Sequence, residues 1–128
     1  TKWGIGNRSC GFRIPSNEEY SMRIENRISG SDTNPYLVFA ANLAAGYLGI
    51  KNKTKPTKES KKSVFNEKKS SLPKNMEEAI SMFEKDEQIN EVFSQKFVRT
   101  IAAIRKVEYQ AYLKVISSWE REYLLLNV

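Results

Sequence analysis

The chain has 128 residues, enough for one domain with a modest core or for part of a larger one. It has no histidine and a single cysteine, Cys10, which excludes His-based triads, His metal ligands and an internal disulfide. Its net charge of +6 would suit nucleic acid, but the excess is local: residues 51–70 hold eight lysines against Glu59 and Glu67, and the rest carries thirteen basic and thirteen acidic residues. With Phe65 the only aromatic residue there to stack on a base, this stretch reads as a flexible, solvated loop, and no nucleic-acid partner is expected. No run of 18 apolar residues exists, so no membrane span is expected. The start, Thr1-Lys2-Trp3-Gly4, has neither Met nor a signal-peptide pattern, and reads as a piece cut from a longer cytoplasmic chain.

In chain order, the first third reads as β. Residues 7–15 form one expected strand and residues 20–28 a second, joined by a polar turn over 15–19 into a hairpin. Gly30-Ser31-Asp32-Thr33 breaks the second strand. Asn34-Pro35 starts a helix, Asn as cap and Pro at the first helical position. That helix, over 36–50, is apolar on nearly every face and demands cover on all sides, which so short a chain barely supplies. After the basic loop, Leu72-Pro73 leads to a second helix starting with Asn75 and Glu78 as a capping box. A short helix over 86–93 follows, and then one long amphipathic helix from Ser94 towards Leu124, with Phe97, Ile101, Ile104, Tyr112, Val115 and Trp119 along its stripe. The class is α+β: a β-hairpin followed by three or four helices.

The residues that carry chemistry lie on the second strand. Arg23, Glu25 and Arg27 stand at i, i+2 and i+4, on the face opposite Ile24 and Ile28. A carboxylate between two guanidinium groups stays ionised and suits Mg²⁺, while the guanidinium forks suit phosphate and carboxylate. The same row also reads as a solvated sheet face laced by ion pairs, and the pattern alone leaves both open. Arg8 and Arg13 lie five apart on the neighbouring strand, so both reach one site only through a bulge or with Arg8 in a loop. Four arginines and one glutamate with no histidine fit phosphoryl transfer, which runs on positioning and charge neutralisation.

Asn7-Arg8-Ser9, Phe12-Arg13-Ile14-Pro15, Arg23-Ile24-Glu25-Asn26-Arg27 and Asn34-Pro35-Tyr36-Leu37, with Ala40-Ala41 and Leu43-Ala44-Ala45-Gly46, resemble in order and spacing the C-terminal part of the glutamine synthetase catalytic domain. The likeness is specific over residues 3–50 and continues more weakly through Leu72-Pro73, Phe97-Val98 and Trp119-Glu120. Ile28-Ser29-Gly30-Ser31-Asp32-Thr33 looks closest to the γ-glutamylpolyamine synthetase-like branch, since glutamine synthetases proper usually start that stretch with Phe-Pro-Asp. The resemblance implies that the whole chain is a C-terminal fragment of one catalytic domain, in a ligase that phosphorylates the γ-carboxylate of glutamate with ATP and then lets ammonia or an amine displace phosphate.

The resemblance also implies roles. Arg8 and Arg27 match arginines at the substrate glutamate and its γ-phosphoryl group, Arg13 and Arg23 match arginines at the ATP phosphates, and Glu25 matches a ligand of Mg²⁺ or Mn²⁺. Homo-oligomers with shared active sites are usual in the family. The fragment alone is expected to be inactive, because the family's other metal ligands, amine pocket and glutamate flap precede Thr1. A competing expectation is a non-catalytic remnant that keeps a structural or oligomerisation role. Ser70-Ser71 stand before Leu72-Pro73 where many bacterial relatives carry a regulatory tyrosine, so adenylylation there is not expected. Cys10 reads as a small core residue, and Trp3 and Trp119 as core or interface aromatics.

Overall fold

A computed structural model describes residues 2–15, 18–66 and 72–127. The chain forms two compact units, Thr1–Leu72 and Pro73–Val128. The first holds strands β1 (Trp3–Ile5), β2 (Phe12–Ile14) and β3 (Glu25–Asn26), a single 3₁₀ turn at Glu19–Ser21, and helix α1 (Pro35–Lys51). The second holds α2 (Met76–Lys85), α3 (Glu87–Phe93), α4 (Gln95–Tyr112) and α5 (Ser118–Leu125). The α+β class is as expected.

The sheet has the order β1-β2-β3 and departs from the expected hairpin in two ways. The antiparallel pair is present, as β2 and β3 with Phe12 opposite Asn26 and Arg13 opposite Glu25. Both strands are shorter than the alternation suggests, and the bond from Arg27 N–H to Gly11 C=O (2.8 Å) extends the pairing by one step. The unexpected partner is β1, which lies parallel to β2 with Trp3 opposite Phe12 and Ile5 opposite Ile14. Parallel neighbours usually need a crossover of a dozen or more residues. Here residues 6–11 suffice, because each strand runs only about 10 Å and Gly6, at φ +63°, turns the chain in a conformation that suits glycine. Ile24 is exposed and Ile28 partly so, so the face expected to be apolar is not covered. Ser16 and Asn17 of the expected turn lie outside the described residues.

Helix α1 starts as its cap predicts: Asn34 Oδ1 accepts from Tyr36 N–H (3.0 Å) and Leu37 N–H (3.3 Å), with Pro35 at the first position. It ends with Lys53 N–H bonded to Ile50 C=O and Thr54 N–H to Gly49 C=O, around Lys53 at φ +50°, where glycine is the usual residue. Its apolar character meets little cover. Leu48 is buried, but Tyr36, Phe39, Leu43, Tyr47 and Ile50 stand 60–82% exposed. Asn26 Nδ2 donates to Asn42 Oδ1 (3.2 Å), which ties β3 to the helix. Cys10 is buried, as expected.

The basic stretch expected to be a solvated loop is fastened over 57–64. Ser60 N–H bonds Trp3 C=O (2.9 Å), Trp3 Nε1–H bonds Thr57 C=O (2.7 Å), and Ile5 N–H bonds Glu59 Oε1 (3.3 Å). Composition registers the lysines but not these backbone groups, which complete the edge of β1. Residues 67–70 of the stretch lie outside the described residues.

In the second unit α4 packs against α2 and α3, burying Ile80, Val98 and Ala102, and Phe93 stacks on Phe97 with centroids 5.4 Å apart. Asn75 caps α2 by accepting from Glu78 N–H (2.8 Å), while the Glu78 carboxylate accepts from Lys74 N–H (2.8 Å), one residue before the cap. The expected long helix is two. Ser117 Oγ accepts from Glu120 N–H (3.1 Å) and Glu120 Oε2 from Ser117 N–H (2.8 Å), a reciprocal capping box that starts α5 afresh after the break over 113–117. Trp119 stacks on Tyr123, but both are largely exposed.

Candidate functional site

The register sets Arg13 and Glu25 opposite each other on β2 and β3, within reach of a cross-strand ion pair. Arg13 Nη1 donates to Glu25 Oε2 at 2.9 Å, with the two side chains only 16% and 28% exposed. Arg23, just before β3, donates from Nη2 to the other carboxylate oxygen (3.3 Å) and from Nη1 to Ser21 C=O (3.2 Å). The Arg13 hydrogen bond is the largest cause of a lowered Glu25 pKa, and the charges of Arg13, Arg23 and Arg27 add to it against the cost of desolvation. Glu25 is therefore held ionised below the usual carboxylate range. Arg13 Nε is buried and finds no hydrogen-bond partner among the described residues, an arrangement that costs about 1–3 kcal/mol.

Three of the expected residues, Arg13, Arg23 and Glu25, are thus in direct contact, and Arg27 joins them through its charge. Arg8 is exposed in the turn between β1 and β2. Its neighbours Asn7 and Ser9 carry a hydrogen-bond network that the sequence does not announce. Asn7 Nδ2 donates to Ser60 C=O (2.7 Å) and Lys62 C=O (2.9 Å), and Asn7 Oδ1 accepts from Ser9 N–H (3.0 Å) and Ser9 Oγ (2.7 Å). The signal available was Asn-x-Ser after a glycine, which marks a side-chain-stabilised turn but says nothing of a partner 53 residues away.

Glu25 is the carboxylate that the resemblance gives to a divalent metal. Both of its oxygens are taken by guanidinium groups, and no cluster of three His, Cys, Asp or Glu side chains able to hold an ion occurs among the described residues. A divalent ion takes about six oxygen ligands, so these residues alone do not make a metal centre. What they do present is fixed positive charge on short strands, suited to phosphate or carboxylate oxygens. No helix among the described residues is long and apolar enough to cross a membrane.

Comparison with known proteins identifies the family. The glutamine synthetase catalytic domain family matches residues 1–124. The chain is 34% identical over 123 residues to a glutamate–isopropylamine ligase of Pseudomonas sp, covering 94% of this chain and 27% of that protein. It is 27% identical over 125 residues to the γ-glutamylputrescine synthetase PuuA of Escherichia coli K12, covering 98% of this chain and 26% of that one. The solved structure of apo GmaS without ligand matches 97% of this chain and 29% of its own, with a TM-score of 0.78 and 28% identity. The chain spans about a quarter of the length of these curated relatives, and it belongs to the glutamine synthetase catalytic domain family.

Proposed function

We propose that the chain supplies the phosphate-handling strands of an ATP-dependent carbon–nitrogen ligase that forms γ-glutamyl amides. The observation that carries this reading is the Arg13–Glu25–Arg23 set with the Arg27 charge on the same carboxylate. In the reaction a γ-carboxylate oxygen of glutamate attacks the terminal phosphorus of ATP, the bond to the bridging oxygen breaks, and ADP leaves. The nitrogen lone pair of ammonia or an amine then attacks the acyl carbon of γ-glutamyl phosphate, the nitrogen loses a proton, and phosphate departs. Negative charge gathers on phosphoryl oxygens in both steps, and preorganised guanidinium groups stabilise it without reorganising.

In this reading Arg13 and Arg23 take the ATP phosphates. Each gives one amino group to Glu25 and keeps further donors of its fork. Arg8 and Arg27 take the glutamate and its γ-phosphoryl group. Glu25 aligns Arg13 and Arg23, and would serve Mg²⁺ or Mn²⁺ only beside ligands from other parts of the protein. Similarity to a glutamate–isopropylamine ligase and to a γ-glutamylputrescine synthetase supports an amine, polyamines included, as acceptor. The same reading has the protein act in cytoplasmic nitrogen metabolism as a homo-oligomer, for which the exposed apolar residues of α1 and α5 provide surface.

Phosphate release by the whole gene product, measured with ammonia, isopropylamine, putrescine and spermidine, tests the reading. Release should require glutamate together with an amine; release indifferent to glutamate would sink it. The exposed apolar row on α1 favours a second reading, a relative that keeps association surfaces without the reaction. It predicts no turnover with any amine and a stable oligomer by light scattering.

A further inference from the structure

We infer that Asn7 and Ser9 are positioning residues that lock the Arg8 turn onto the basic loop at 57–64, so that this loop sets where the Arg8 guanidinium stands. The inference rests on the ligase reading, in which Arg8 meets an anionic substrate. The Asn7 amide is fully used: both Nδ2 hydrogens go to loop carbonyls, of Ser60 at 2.7 Å and Lys62 at 2.9 Å, and Oδ1 accepts twice from Ser9. Its orientation is fixed, because a backbone carbonyl only accepts and the Ser9 N–H only donates. Ser9 Oγ in turn accepts from Val64 N–H at 3.0 Å. Arg8 thus sits between two side chains that are both committed to the same loop.

The loop is itself a firm support. It is held to β1 at Trp3 and Ile5, and it approaches Gly4 so closely that a Cβ there would lie 2.6 Å from the Ser60 carbonyl oxygen. The bonds of Asn7 to Ser60 and Ser9 and of Ser9 to Val64 are part-buried, so water competes poorly for them, while the Asn7–Lys62 bond is exposed. Lys58, Lys61 and Lys62 are exposed on the same anchored stretch and add positive potential around the turn. A stretch that composition marks as a bland polar loop therefore acts as the frame of one substrate-facing arginine.

The test uses the whole gene product. Asn7→Asp keeps the shape, removes both donors and sets a carboxylate against two carbonyl oxygens. We expect the KM for glutamate to rise by at least about tenfold while the KM for ATP stays within about twofold, since misplacement by an ångström is enough for such losses. Ser9→Ala should shift the glutamate KM in the same direction and Ser9→Thr, which restores the hydroxyl, should rescue it. This second pair carries the test if Asn7→Asp fails to fold. Hydrogen exchange at the Val64 amide reads the clamp independently of activity and should quicken in Ser9→Ala. Quickened exchange with an unchanged glutamate KM overturns the positioning role and leaves the ligase reading intact, as does an equal rise in both KM values. Unmutated protein that releases no phosphate in the presence of glutamate and the amines overturns the ligase reading, and the positioning role with it.

Discussion

The three-stranded sheet and the helical unit are held together by different physics. In the sheet the buried side chains are few, and order comes from hydrogen bonds and ion pairs: Arg13 to Glu25, Arg23 to Glu25, Asn7 to the loop, and Trp3 Nε1–H to Thr57. In the helical unit order comes from apolar packing of α4 on α2 and α3 around Ile80, Val98 and Ala102, with polar contacts at the caps and in the Lys106–Glu84 and Arg105–Glu108 surface pairs. The difference is instructive. Charge can be organised for a ligand only where it is not consumed by a solvated surface, and short strands with interlocked polar side chains hold it still at the expense of apolar core. The helical unit has the reverse bargain, a dry core and no comparable cluster of charge among its described residues.

Four measurements would sharpen or break that contrast. The largest effect is expected from Ile80→Ala, which should destabilise the helical unit by about 2–5 kcal/mol through a lost side chain and the cavity left behind. Hydrogen exchange of the α4 amides should quicken while that of β2 does not, and equal quickening in both would show that the two units do not unfold separately. Next, Arg13→Met in the whole gene product should lower kcat by roughly 10²–10³-fold, as removal of one preorganised donor does at other transition states. α4 exchange should stay unchanged, and near-normal turnover would remove Arg13 from the reaction.

A smaller effect belongs to Ser117→Ala. Loss of that cap should cost about 1 kcal/mol, seen as faster exchange at Glu120 with α4 unaffected; simultaneous loosening of α4 would mean that α4 and α5 behave as one helix. The smallest concerns acid. Because the Glu25 pKa is lowered on folding from an ordinary 4.5, its pairing contributes fully above that value and is lost as pH falls through the lowered one. A carboxyl titration followed by NMR should place the midpoint below 4.5 and return it upward in Arg13→Met. A midpoint at or above 4.5 in the unmutated protein would break the ion-pair account.

How far each feature could be read in advance follows the range of the forces behind it. The start of α1 was legible because Asn34 and Pro35 act on N–H groups within three residues. The boundary between α4 and α5 was equally legible in Ser117-Ser118-Trp119-Glu120, but the continuous apolar stripe through Val115 and Trp119 masked it. The poor cover of α1 could be anticipated, because the helix is apolar all round with little chain beside it. The parallel β1 and the fastened loop could not, since each depends on groups that meet only after the chain has turned.

The amino-acid sequence by itself determined which segments are helical, where most of them start, and that Arg8, Arg13, Arg23, Glu25 and Arg27 lie within residues 8–27. These are local properties of capping, alternation and residue chemistry. Only the tertiary structure decided that Glu25 takes Arg13 and Arg23 as direct partners while Arg8 stands on a turn gripped by Asn7, Ser9 and the lysine-rich loop. The reason is physical: the bonds that grip the turn join the Asn7 and Ser9 side chains to backbone groups 53–55 residues away, and every backbone carbonyl looks the same in a sequence until folding brings one donor within 3 Å of it.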